Sequence, residues 1–182
     1  AKLKKWSGEL QPPGLPTSFD AHHEGLFGEH DLIPKSEIAG KTAPDGSIQG
    51  WMCRNGSITQ QNGALVITPQ AGAKAPFITN SGIEIAGPLS ITLDCRAKQG
   101  GTGAATWREK GQSDFVKEQR TPFEWPTGGE WREVTFTLGN VGDVIHLRLL
   151  TPDGAQGLEV RSISLKGKAR HPMVWRFDQA AK

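Results

Sequence analysis

From residue 48 onward, the sequence is divided into short segments by turns that are rich in glycine and asparagine. The turn sequences are Asn55-Gly56, Asn62-Gly63, Gly100-Gly101, Gly128-Gly129 and Asp153-Gly154. Both residue types tolerate the positive φ angles that tight chain reversals require. The segments between the turns predict strands at 48–54, 64–68, 75–79, 88–97, 104–109, 122–125, 131–138, 144–150, 158–165 and 173–177. This spacing predicts an all-β fold, a two-sheet antiparallel β-sandwich of jelly-roll type.

Apolar and polar residues alternate along these segments. In segment 88–97 one face has Leu89, Ile91, Leu93, Cys95 and Ala97, and the other has Ser90, Thr92, Asp94 and Arg96. In segment 144–150 we expect Ile145, Leu147 and Leu149 to be buried, and His146 and Arg148 to point away. Burial of one Leu or Ile contributes about 1.5–3 kcal/mol, so these faces should set the strand register.

Two further segments are less regular than these. In 158–165 the apolar phase changes between Val160 and Ile163, which predicts a β-bulge. In 131–138 one face has Val134, Phe136 and Leu138, while Trp131 and Glu133 lie on the other. Of the six tryptophans, Trp51 and Trp175 are interpreted as structural, and Trp107 and Trp125 as belonging either to the core or to a binding face.

The first 47 residues have a different character. Residues 1–10 predict a short helix with Leu3, Trp6 and Leu10 on one face, and the prolines of 11–16 end it. Such a helix has no partner of its own, so 1–16 is interpreted as the tail of a preceding domain. Residues 17–47 are interpreted as a linker, and the sandwich domain as 48–182. The linker contains His22, His23 and His30 among acidic residues, but their spacing matches no metal-binding motif.

Several functional classes find no support in the sequence. The net charge of +2 is small, and no nucleic-acid-binding motif is present. No apolar run is long enough to span a membrane. We find no GxSxG nucleophile motif and no glycine-rich phosphate loop, so no catalytic residue, metal site or cofactor is predicted for this chain. Cys53 and Cys95 each lie in a predicted strand, either as independently buried thiols or as a disulfide.

The residues best suited to bind a ligand are arginines and indoles on outward faces. Arginine can hold carboxylate or sulfate groups with two parallel hydrogen bonds, and an indole can stack on the apolar side of a sugar. The candidate binding residues are Arg96, Trp107, Arg108, Lys110, Trp131, Glu133, His146 and Arg148, on strands expected to be adjacent. In the alternative interpretation, Arg and Glu pair on a solvated sheet and Trp131 caps a sheet edge.

Residues 4–15 (KKWSGELQPPGL) resemble the segment that ends the catalytic domain of bacterial sulfatases of the arylsulfatase A type. In that family a terminal helix of pattern L-x-x-W-x-x-x-L runs into prolines. The segments from Gly50-Trp51 through Trp107 and 129–134 to 158–165 resemble the carbohydrate-binding-like β-sandwich appended to such enzymes.

The resemblance implies a parent enzyme that hydrolyses sulfate esters of a polysaccharide, in the periplasm or outside the cell. It also implies that the parent uses calcium and a formylglycine made from the C/S-x-P-x-R motif. Neither Cys53 nor Cys95 lies in that motif, and Arg161 stands near the position of an acidic calcium ligand in related sandwiches. We therefore expect a non-catalytic C-terminal domain that binds or positions a sulfated polysaccharide. The alternative is an interaction module that packs on the catalytic domain or mediates dimerisation, without a ligand.

Overall fold

The computed structural model describes residues 46–139 and 141–178, all of which belong to one compact unit. The predicted helix and nearly all of the predicted linker lie outside these residues. The described part contains twelve strands: β1 (Met52–Arg54), β2 (Gly56–Gln61), β3 (Ala64–Pro69), β4 (Phe77–Asn80), β5 (Ile85–Ala86), β6 (Leu89–Arg96), β7 (Gly101–Glu109), β8 (Arg120–Trp125), β9 (Arg132–Leu138), β10 (Asp143–Leu150), β11 (Leu158–Lys166) and β12 (Met173–Arg176).

The strands form two antiparallel sheets packed as a sandwich, which confirms the predicted fold class. The first sheet has the order β1-β4-β10-β7-β8, with β5 beside β10. The second has the order β2-β3-β11-β6-β9, with β12 beside β11. The chain crosses between sheets after β1, β3, β5, β6, β8, β9 and β10. Strands that follow one another in sequence are therefore often on opposite sides of the sandwich.

Turn chemistry explains why the first predicted strand ends at Arg54. Asn55 has φ 58°, and this left-handed residue separates β1 in the first sheet from β2 in the second. The strand β2 was not predicted, because its inward residues Gly56, Ile58 and Gln60 include one apolar side chain. Asn62 and Gly63, with φ 49° and 74°, form the predicted turn of the β2–β3 hairpin.

The core lies between the inner faces of the sheets. Every second residue of β6 is buried from Leu89 to Cys95, as alternation predicts. Trp51 and Trp175 make an edge-to-face contact with centroids 5.4 Å apart, and Phe123 stacks on Phe136 at 4.4 Å. The second contact joins edge strands of the two sheets and closes that side of the sandwich.

Trp125 is a core residue whose placement depends on a glycine. Its Nε1 donates a hydrogen bond to the Leu150 carbonyl at 3.1 Å, and a Cβ on Gly103 would lie 2.6 Å from that nitrogen. Glycine at 103 therefore allows the indole to lie against the backbone of β7. This resolves the two interpretations of Trp125 in favour of the core.

Two shifts in strand register change which side chains face outward. The pairing of β11 with β6 shifts between Val160 and Ser162, which confirms the predicted bulge. The pairing of β10 with β7 also shifts, between Val144 and His146. Because of this second bulge, Val144 is buried and Ile145 is only half-buried, so the prediction that Ile145 would be fully buried was wrong.

Both cysteines are free thiols on different sheets, Cys53 in β1 and Cys95 in β6. Burial raises the pKa of Cys53 to about 11. Burial, and secondarily the charge of Asp94, raise the pKa of Cys95 to about 12. Neither thiol is activated as a nucleophile, because nucleophilic reactivity requires the thiolate.

We expect Leu93→Ala to lower the free energy of unfolding by about 2–5 kcal/mol, because Leu93 is fully buried in the core. Val174→Ala, at an exposed valine, should change it by less than about 0.5 kcal/mol. Urea unfolding followed by tryptophan fluorescence measures both values. Equal effects of the two substitutions would contradict the assigned core.

Candidate functional site

The predicted binding residues do not lie on one face. Arg108, His146 and Arg148 are on the first sheet, whereas Arg96 and Glu133 are on the second, with Trp131 just before β9. The expectation of one continuous face was wrong, because the chain changes sheet between β6 and β7 and again between β9 and β10. The outward residues therefore form two separate groups on opposite sides of the sandwich.

Two of the predicted residues do not contribute to either group. Trp107 is buried in the core, and its Nε1 donates to Glu109 Oε1 at 3.2 Å, so the core interpretation applies to it. Lys110 follows β7 and is exposed, with Nζ 3.9 Å from Glu84 Oε1. An exposed pair at that distance contributes little to stability.

On the second sheet, Trp131 lies between paired charges. The guanidinium of Arg96 is 4.6 Å from the centroid of the Trp131 ring, and that of Arg161 is 4.1 Å from it. Arg96 Nη2 contacts both carboxylate oxygens of Glu159 at 3.0 and 2.8 Å. Arg161 donates from Nε and Nη2 to the two oxygens of Asp94 at 2.8 and 3.0 Å. We call these five residues the Trp131 cluster.

The Trp131 cluster is internally satisfied. Each arginine has a carboxylate partner, and each guanidinium also lies over the indole. Glu133 is exposed beside the cluster and lies opposite Asp94 in the β6–β9 pairing. This is the arrangement expected for Arg and Glu that pair on a solvated sheet, and both arginine charges of the cluster are already compensated by carboxylates.

The first sheet has an open cleft of about 180 Å³ on its outer face. We call it the Arg148 cleft. It lies over β1, β4 and β10, and its walls include Met52, Arg54, Phe77, Thr79, His146 and Arg148. These side chains share one face because Met52 pairs with Thr79 and Thr79 pairs with Arg148 across three neighbouring strands.

Arg148 is enclosed by aromatic rings and has no carboxylate partner. Its guanidinium carbon is 3.5 Å from the centroid of Phe115 and 5.3 Å from that of Phe77. Its Nε is buried without a hydrogen-bond partner, and within 46–139 and 141–178 no acidic side chain is within ion-pair distance of it. The Nε donor of Arg148 is thus buried without an acceptor, which is uncommon for a buried polar atom.

Charges of both signs act on Arg148. Burial lowers the pKa of Arg148, the charge of Asp114 opposes this change, and the charges of Arg108 and Arg54 lower the pKa further. Arg108 is also without a carboxylate partner in the described residues; its Nη1 donates to the Ser113 carbonyl at 3.1 Å. Arg148, Arg108 and Arg54 thus outnumber the one acidic charge that acts on Arg148, and a face with net positive charge attracts an anion.

His146 is neutral at ordinary pH. Burial lowers its pKa to about 4, and the charges of Arg148 and Arg108 act in the same direction. Thr79 Oγ1 donates to the Leu147 carbonyl at 3.0 Å and lies 2.7 Å from His146 Nε2. Because a hydroxyl has one proton, His146 Nε2 is then the donor to Thr79, and Nδ1 is the unprotonated nitrogen. The ring also contacts Phe115 edge-on at 4.8 Å.

No group of three or more His, Cys, Asp and Glu side chains between 46 and 178, leaving out 140, is placed to hold a metal ion. No helix of the described chain has the length and apolar character needed to cross a membrane. The residues that line the Arg148 cleft include a guanidinium, the ring of Phe77 and the neutral imidazole of His146.

Sequence reasoning identified Arg148 and His146 as outward residues but missed their partners. Phe115 lies in the loop between β7 and β8, where no strand pattern constrains its position. Arg54 and Phe77 reach the cleft from β1 and β4, which are joined to β10 only by long-range pairing. The pairing of Arg54 with Phe77 has no local signal in the sequence, since 23 residues separate them.

Comparisons with known proteins find solved structures that are similar to this chain. No protein-family model matches the sequence, and no curated protein matches it. The chain is similar to a structure described as "CBM4 structure and function", with 18% identity over 66% of this chain and 96% of that one, and a TM-score of 0.47. It is also similar to a family 29 carbohydrate-binding module, with 14% identity over 69% and 81% of the two chains and a TM-score of 0.45.

A third similar structure is Xyl-CBM35 in complex with a disaccharide that contains glucuronic acid. It shares 15% identity over 72% of this chain and 94% of that chain, with a TM-score of 0.46. Similarities of this size assign neither a family nor a ligand. The function of this chain therefore has to follow from its own residues, and the link to sulfatases stays a prediction.

The lowered pKa of His146 predicts a loss of stability in acid. As pH falls from about 6.5 to about 4, the unfolded chain binds a proton that the folded chain does not, so the free energy of unfolding decreases. Because the ring is half-exposed, we expect a loss of about 1–2 kcal/mol over this range, well below the full linkage value. Urea unfolding at pH 7.5, 6, 5 and 4 measures it.

The matched variants are His146→Gln, which removes the titrating group, and His171→Gln, at an exposed histidine. His146→Gln should flatten the pH dependence of unfolding between 6.5 and 4, and His171→Gln should leave it as in the wild type. An unchanged slope in His146→Gln would show that the imidazole does not have the assigned environment.

Proposed function

We propose that this domain binds an anionic saccharide in the Arg148 cleft, in the first place a sulfated polysaccharide. The observation that supports this most directly is Arg148 itself, a guanidinium that contacts Phe115 and Phe77 and whose buried Nε has no hydrogen-bond partner. A guanidinium fixed in this way offers hydrogen-bond donors to a carboxylate or a sulfate ester at little cost in side-chain entropy.

The aromatic wall suits the other part of such a ligand. Phe77 lines the cleft beside Arg148, and the apolar side of a sugar ring can pack against an aromatic face. The cleft, at about 180 Å³, is smaller than the usual 300–1,000 Å³ of a small-molecule pocket. It therefore suits one part of a long ligand that lies along the sheet better than an enclosed metabolite.

The same features favour binding over a purely structural interaction module. A protein-docking surface is expected to show a contiguous apolar patch. In the described part of the chain the exposed large hydrophobic residues are Val116, in the loop between β7 and β8, and Val174, on the second sheet. They lie on different sheets or loops and form no common patch.

We further propose that the domain is the non-catalytic C-terminal part of a sulfatase that acts in the periplasm or outside the cell. The support is the resemblance of residues 4–15 to the end of such catalytic domains, together with a cleft suited to a sulfated chain. In that setting the domain would hold the polymer near the catalytic domain of the same protein.

Removal of the Arg148 guanidinium should weaken binding to chondroitin sulfate by about tenfold to hundredfold, because charge-assisted hydrogen bonds contribute about 1.5–3 kcal/mol. Arg148→Ala removes the whole side chain, and Arg148→Met retains a stem that packs between the phenylalanines. Isothermal titration calorimetry at 50 and 200 mM salt measures the affinity, and wild-type binding should weaken with salt.

Arg161→Ala is the matched control, since it removes an arginine from the opposite sheet that is paired with Asp94. It should leave the affinity within about threefold of wild type, and thermal unfolding checks that all variants fold. The proposal fails if wild type shows no salt-sensitive binding to any anionic polysaccharide, or if Arg161→Ala reduces binding as much as the Arg148 variants.

A further inference from the structure

The Arg148 cleft contains a second arginine that has no assigned partner. Arg54 is exposed at the end of β1 and lines the cleft together with Arg148. No acidic side chain in 46–139 or 141–178 is within ion-pair distance of it. Its charge reaches Arg148, because it contributes to the lowered pKa of that residue. Two like charges thus line one cleft, and none of the described residues that line it is acidic.

The strand pairing gives the separation of these two arginines. Arg148 lies opposite Thr79, and Thr79 lies opposite Met52, so β1 is two strands away from β10. Neighbouring strands are about 4.8 Å apart and residues rise about 3.3 Å along a strand. Arg54 is two residues beyond Met52, which places its Cα about 12 Å from that of Arg148.

Phe77 lies between the two arginines. It is the pairing partner of Arg54 in the β1–β4 ladder, and its ring is 5.3 Å from the guanidinium of Arg148. The cleft therefore presents, in order, a cation, an aromatic ring and a second cation. A sugar ring over Phe77 would place one substituent toward each arginine.

Arg108, the third arginine of this face, does not extend the series. It does not line the cleft, and its guanidinium is bonded to the Ser113 carbonyl in the loop between β7 and β8. The cation pattern inside the cleft consists of Arg54 and Arg148 alone, as far as the described residues go.

We infer that the cleft recognises a saccharide unit with two anionic groups, one bound by Arg148 and the other by Arg54, with a sugar ring over Phe77. This inference rests on the proposed binding of an anionic saccharide. Arg54 is then a specificity-determining residue that distinguishes doubly charged units from singly charged ones. Arg148 provides the anchor that both kinds of unit use.

Two chondroitin disaccharides test the inference. The unsulfated disaccharide has one carboxylate, and the 6-sulfated disaccharide has a carboxylate and a sulfate. Wild type should bind the doubly charged disaccharide at least about tenfold more tightly, which corresponds to one additional charge-assisted contact. Arg54→Ala should reduce this preference to about threefold or less while it leaves the affinity for the unsulfated disaccharide nearly unchanged.

Arg120→Ala is the matched control. Arg120 is an exposed arginine of the same sheet, and its pairing with Thr106 places it two strands from β10 on the side away from β1. It does not line the cleft, so the preference should stay as in wild type. Titration calorimetry or ligand-observed NMR at low salt gives the affinities, and thermal unfolding verifies each variant.

The possible outcomes distinguish failure of this inference from failure of the proposed function. If wild type binds chondroitin sulfate but does not prefer the doubly charged disaccharide, or binds neither disaccharide, the two-anion inference is wrong and the proposed function stands. The same holds if Arg54→Ala and Arg120→Ala have equal effects. If wild type binds no anionic polysaccharide at all, the proposed function fails and this inference fails with it.

Discussion

The buried residues of β10 determine where Arg148 points. Leu147 and Leu149 are fully buried on either side of it in sequence, and side chains on a strand alternate between faces. A slip of one residue would move both leucines to the surface and push a guanidinium into the core, at a cost of several kcal/mol. The core thus fixes the outward position of Arg148, and Thr79 and Phe77 reach it through the pairing of β4 with β10.

The arginines on the two outer faces of the sandwich have different neighbours. On the second sheet, Arg96 and Arg161 have carboxylates in hydrogen-bond contact and share an indole. On the first sheet, Arg148 has aromatic neighbours, and no carboxylate of the described residues is within ion-pair distance of it. A buried Nε without an acceptor is costly for stability, and a bound anion would supply that acceptor.

Sequence patterns predicted the fold class because alternation and turn chemistry are local signals. The strands containing Leu93, Leu147 and Ile163 were located, and the bulge near Arg161 was predicted from the phase of the apolar residues. Alternation shows that Trp131 and Arg148 both point outward, but it does not show from which sheet. That depends on long-range strand pairing, so the site was predicted as one face when its members occupy two.

The partners of Arg148 were missed for the same reason. Phe115 has no periodic pattern around it, and Phe77 and Arg54 precede Arg148 by 71 and 94 positions in the sequence. Strand β2 was also missed, because Ile58 is the one apolar side chain that it packs against the core, and its pairing with β3 has no pattern of apolar residues to mark it. Segment 1–16 and most of 17–47 lie outside the described residues, so those interpretations stay predictions.

The central claim is that one face of the sandwich binds an anionic saccharide while the other does not. Backbone amide chemical-shift mapping during a titration with chondroitin sulfate oligosaccharides tests this most directly. The account predicts that the shifts concentrate in β1, β4, β10 and the loop around Phe115 and saturate with ligand. Shifts concentrated around Trp131, Arg96 and Arg161 on the second sheet, or no saturable shifts at all, would contradict it.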